Sequence, residues 1–130
     1  MDRDTPRFDI IQRPTRRYPP DGGVEHDGGT VFVLTPQQQL EESIPDCVAN
    51  VLKDGPYRYG DWFELPMPLF LVHDDSTSDT FRVAIRDATI EIHVLPETEQ
   101  AGLIAFYERL VRISNCSWSV ETRTENPQST

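Results

Sequence analysis

Lysine is almost missing from this 130-residue chain: Lys53 stands alone beside eleven arginines. Cysteine occurs twice, at Cys47 and Cys116, with no C-x-x-C pair. That spacing gives no basis for a zinc knuckle or a dithiol redox motif, and two small packed thiols are the expectation. No run of about 18 apolar residues is present, so no membrane-spanning helix is expected. The opening residues, Met1 to Pro6, lack the apolar stretch of a secretory signal, which makes a cytoplasmic location the default. H-E-x-x-H, G-x-S-x-G, G-x-x-x-x-G-K-[ST] and G-x-G-x-x-G are all missing. Metalloprotease, hydrolase and nucleotide-binding readings therefore lack their usual starting points. No catalytic set, metal site or cofactor is read from the chain, and the reading leans away from an enzyme.

Acidic residues, in contrast, are abundant. The formal net charge is −10, and it is unevenly spread. Residues 1–20 carry five arginines against three aspartates, while the remainder holds seven basic against nineteen acidic side chains. An acidic body disfavours direct contact with nucleic acid or anionic membrane.

Residues 1–29 hold four prolines and two Asp-Gly-Gly turns. They read as a flexible, Pro/Arg/Gly-rich segment, with Arg7 to Ile11 as a candidate short edge strand. A single α+β domain is expected over 30–123, followed by a frayed tail at 124–130. One domain suits this length. Thr30 to Leu34 reads as a strand. Thr35-Pro36-Gln37-Gln38 carries a helix-start signal with Thr35 as N-cap. Pro45 interrupts the apolar spacing of Leu40, Ile44, Cys47, Val48, Val51 and Leu52. Either a kink at Pro45 or a second helix capped by Ser43 follows from that conflict.

Residues 80–111 are the most legible. Phe81, Val83 and Ile85 alternate with Arg82, Ala84 and Arg86, and Ile90, Ile92 and Val94 alternate with Glu91 and His93. After Pro96 the period lengthens to that of a helix through Leu103, Phe106, Tyr107 and Leu110. A β-hairpin turning at Asp87-Ala88, covered on its apolar side by a helix starting near Pro96, is the reading. Cys116, Trp118 and Val120 then alternate as a last strand. The fold expected is an antiparallel sheet of about four to six strands with two helical segments on one face, roughly β-α-β-β-β-α-β.

Two surfaces stand out. Tyr57, Tyr59, Trp62 and Phe63 form an aromatic stretch followed by Pro66 and Pro68. Tyr, Trp and Arg are the types that anchor interfaces, and the prolines favour an edge position. The hairpin's polar face supplies the other candidate: Arg82 falls opposite His93, and Arg82 and Arg86 lie diagonal to Glu91. With His73 these would make a ligand-binding set of His73, Arg82, Glu91 and His93. The run His73-Asp74-Asp75 with Asp79 lacks the turn glycine and closing glutamate of an EF-hand, and reads as a polar loop.

The expected function is a small acidic protein-interaction or adaptor module, binding a protein partner or a second copy of itself through the aromatic edge. A small ligand-binding domain or enzyme on the His/Arg/Glu face is the alternative. An acidic decoy of a nucleic-acid-binding protein is a further one.

Overall fold

The computed structural model describes residues 8–17, 20, 25–61, 69–86 and 88–124. A short antiparallel pair is formed by β1 (Thr15–Arg17) and β2 (Glu25–Asp27). The main sheet is built from β3 (Thr30–Pro36), β4 (Tyr57–Asp61), β5 (Leu69–Asp74), β6 (Asp79–Arg86), β7 (Thr89–Val94) and β8 (Trp118–Thr124). Their order across the sheet is β4-β5-β6-β7-β3-β8, and every neighbouring pair is antiparallel. Helices α1 (Ile44–Asp54) and α2 (Gln100–Ser114) complete the fold. The α+β class and the helices-on-a-sheet arrangement are those expected, with the hairpin counted as two strands.

Side-chain alternation divides the sheet cleanly. Phe32, Leu34, Phe70, Val72, Phe81, Val83, Ile85, Ile90, Ile92 and Val94 form one core with Val48, Val51 and Leu52 of α1 and Leu103, Phe106 and Leu110 of α2. Phe81 meets Phe106 edge-to-face at 5.7 Å, and Tyr57 meets the same ring at 6.2 Å. Phe8 is also buried in this core, 5.0 Å from Phe32 and 5.9 Å from Tyr107. The core thus draws on a residue well before the domain start expected at residue 30. No strand is formed by residues 8–14. They are held instead by side-chain bonds: the Thr30 hydroxyl accepts from the backbone N–H groups of Ile11 and Gln12, and Arg13 donates to the carbonyls of Pro96 and Thr98.

Two expected helix starts are displaced, each for a local reason. Thr35 and Pro36 do not cap a helix but continue β3, opposite Ser119 and Trp118 of β8. The pairing of β3 with β7 ends at Leu34, so Pro36 sits where the sheet is locally an edge and its missing N–H breaks no ladder. The helix begins only at Ile44. Ser43 is its N-cap, accepting from the Asp46 N–H at 3.2 Å, and Pro45 falls in the first turn, where no N–H is needed. At the second helix, Pro96 lies four residues ahead of the start. Residues 95–98 close a turn in which the buried Thr98 hydroxyl accepts from the Leu95 N–H and donates to the Thr80 carbonyl.

What caps α2 lies outside its own sequence. Glu99 occupies the N-cap without a side-chain bond. Asp79, at the start of β6, supplies the acceptors: Oδ1 takes the Glu99 N–H at 2.8 Å and Oδ2 takes the Gly102 N–H at 3.0 Å. A carboxylate against a helix N-terminus complements both the orphan donors and the dipole. Asp74 stands opposite Asp79 across the β5–β6 turn. It is fully buried and lies 3.4 Å from Arg109, further along α2. The two acids of what reads as a polar loop therefore turn inward and fasten one helix to the sheet at two points.

Candidate interaction edge and charged sheet face

β4 forms one border of the sheet, with β5 as its single neighbour among the described residues. Its residues alternate between two roles. Tyr57 points into the core, and its hydroxyl accepts from Arg109 Nη1 at 2.6 Å while the same guanidinium lies 5.1 Å from the centre of its ring. Burial raises the Tyr57 hydroxyl above the ordinary tyrosine range, against the pull of Arg109. Tyr57 therefore supports the edge from beneath rather than presenting itself. Tyr59, two residues on and on the same side of the sheet, is 41% exposed. Its ring touches Phe70 edge-on at 6.2 Å. Between and beyond them, Arg58 and Gly60 face the opposite side. Arg58 is held by Asp75 Oδ1 at 2.7 and 3.0 Å, and a side chain built on Gly60 would meet nothing within 4 Å. Trp62 and Phe63, the other two aromatic residues expected to bind a partner, lie outside the described residues.

The face of the sheet away from the helices gathers the second candidate set. Arg82 stands opposite His93, and Ala84 opposite Glu91, as the hairpin reading expected. Glu91 is buried to 4% exposure, unusual for a carboxylate on a strand facing away from the core. His93 Nε2 lies 3.0 Å from its Oε1, and Arg86 and Arg123 approach its Oε2 at 3.7 and 3.6 Å. Arg123 reaches it from β8 across β3, on which Val31 stands opposite Arg123 and Val33 opposite Glu91. His73 shares this face: its Nδ1 lies 2.8 Å from the Thr80 hydroxyl, diagonal to Arg82. All four residues of the expected ligand set thus occupy one side of three adjacent strands. Arg86 and Arg123 were not part of that set. Arg123 joins it through the pairing of β8 with β3, which no local pattern along the chain signals.

Four of the six arginines beyond residue 20 (Arg58, Arg82, Arg86 and Arg123) lie on this face, interleaved with Glu91 and Glu121.

Both thiols are buried and unpaired. Cys47 lines a cleft of about 100 Å³ between the start of α1 and the end of α2, with Leu40, Glu42, Ile113 and Asn115. Burial, with Glu42 and Asp46 nearby, pushes its thiol above the ordinary range, which disfavours the reactive thiolate. Among the described residues no group of three or more His, Cys, Asp or Glu side chains is placed to hold a metal ion, and no helix is long and apolar enough to cross a membrane. Compared with protein-family models, curated proteins and solved structures, the chain matches none.

Proposed function

We propose that this chain is a small protein-interaction module whose contact is the edge strand β4. The observation that carries the reading is the position of Tyr59, the one large hydrophobic side chain that is exposed on a strand among the described residues. It sits on the border strand, where no other strand among the described residues takes the outward backbone groups. Strand addition takes its affinity from main-chain hydrogen bonds and its specificity from alternate side chains. An exposed tyrosine on one side and an arginine on the other suit that mode. The opposite border, β8, instead shows Glu121, Thr122 and Arg123 to solvent, the polar and charged pattern that discourages edge pairing.

The test is capture from native lysate with the wild type and with Tyr59→Lys, the bound proteins being identified by mass spectrometry. Lysine at an edge is a natural guard against strand pairing, and this site is exposed, so the variant is expected to fold. Loss of the specific partner, or of the protein's own second copy, from the folded variant is the expected result. Equal capture by both baits contradicts the proposal.

A second reading is favoured by one observation. His73, Arg82, Glu91 and His93 share a face on which Glu91 is buried against His93. Arg82, with Arg86 and Arg123 gathered about Glu91 on the same face, would supply the donors for an anionic ligand. Movement of the His73 and His93 ring resonances on titration with inorganic phosphate, reduced in Arg82→Ala, is its expected signature. Resonances that do not move count against it.

A further inference from the structure

We propose that β4 pairs with β4 of a second copy of this chain, antiparallel and centred on Tyr59, joining two six-stranded sheets into one continuous sheet. The inference rests on the edge reading above and names its partner. A two-fold axis normal to the sheet makes any such contact self-complementary, so each residue must suit the one it meets across the axis. Keeping the helices of both copies on the same side restricts the register, because successive side chains alternate between faces. Centres at Arg58, Tyr59 and Gly60 satisfy this within the body of the strand.

Two of these registers are poor. A centre at Arg58 sets two guanidinium-bearing side chains directly opposite each other, which is destabilising. A centre at Gly60 sets two residues without side chains opposite each other and parts the two Tyr59 rings. The third register is complementary at its central pairs, and it sets Tyr57, whose ring is turned into the core, opposite Asp61. On the helix side, Tyr59 meets Tyr59 of the second copy across the axis, an aromatic cross-strand pair. Both rings are already backed by Phe70 at 6.2 Å. On the other side, Arg58 meets Gly60, where space is open beyond the backbone. The Arg58 guanidinium is already held at 2.7 and 3.0 Å by Asp75, on the β5 side of the strand, so its charge is drawn away from the approaching strand.

The register is tested with the intact chain in two measurements. Sedimentation equilibrium of the wild type is expected to show a concentration-dependent species at twice the 14.9 kDa chain mass, and Tyr59→Lys is expected to remain a monomer. In the second, Tyr59→Cys and Arg58→Cys are compared on non-reducing gels after mild oxidation. Opposed residues of an antiparallel pair have Cα atoms about 4.5 to 5.5 Å apart, within disulfide reach, whereas two copies of residue 58 lie beyond the limit of about 7 Å. Tyr59→Cys is expected to form a covalent dimer and Arg58→Cys, at the more exposed neighbouring site, is not. Equal cross-linking at both positions overturns the register. A wild type that stays monomeric at its highest attainable concentration overturns self-pairing, and if Tyr59→Lys still loses a different captured partner, the edge reading itself survives. A dimer untouched by Tyr59→Lys overturns both.

Discussion

Arg109 is the residue on which the edge strand depends from within. It donates to the Tyr57 hydroxyl at 2.6 Å, lies over the Tyr57 ring and faces the buried carboxylate of Asp74 at 3.4 Å. Removing one partner of a buried pair leaves the other charge uncompensated, so Arg109→Ala is expected to cost about 3 kcal/mol in a urea titration. Asp74 adds a pH signature. Burial acts to raise its pKa, but the bonds from Ser76 and the charge of Arg109 outweigh it and hold the carboxyl below its ordinary value. Its contribution to stability is therefore present above the ordinary carboxylate pKa and is lost as pH falls through the lowered folded value. Asp79 has the opposite sign. Burial raises its carboxyl despite the N–H groups of Glu99, Gly102 and Thr80, so its contribution is full below the ordinary pKa and is lost as pH rises through the raised one. The stability gap between wild type and Asp74→Asn should accordingly narrow as pH is lowered from about 7 to about 3. A constant gap across that range would show that Asp74 does not fasten α2 as an anion. None of this was visible along the chain. Tyr57 and Tyr59 look alike in sequence, and what separates them is Arg109, fifty-two positions away from Tyr57.

At the level of elements, the junction of β6 with α2 is a close one. Gly102 brings the helix backbone against Asp79, and an added Cβ there would collide with the Asp79 Cβ and Oδ2. Gly102→Ala would force that carboxylate off the Glu99 and Gly102 N–H groups. A loss of about 1 to 3 kcal/mol, read as a lowered melting temperature, is expected from such overpacking. A melting temperature equal to wild type would mean that the cap is dispensable. The same junction explains which elements could be read in advance. The β6–β7 hairpin was legible to the residue, because strict alternation on both strands and a two-residue turn leave one register: Arg82 opposite His93 and Ala84 opposite Glu91. The start of α2 was not, since its capping group lies twenty positions upstream of Glu99 on another strand. Thr35-Pro36 misled for a similar reason. The motif is a sound helix start locally, but pairing with β8, some eighty residues later, carries the strand through it.

At the scale of the whole molecule, two kinds of surface are set apart. One side of the sheet and two helices enclose the core, while the other side collects arginine and histidine around Glu91 on a chain of net charge −10. The shape of the sheet was legible from periodicity, but the order of its strands was not. It is strand order that puts β4 at a border and Arg123 within reach of Glu91. The proposed function rests on that order, because only a border strand offers unpaired backbone to a partner. Amide hydrogen exchange of β4 tests this most directly. Residues 57–61 alternate between N–H groups bonded to β5 and N–H groups directed away from the sheet. The outward-directed amides are expected to exchange fast in dilute protein and to become protected when the partner or a second copy is bound, while the β8 amides are unchanged. Binding that leaves the outward β4 amides as fast as before would contradict it.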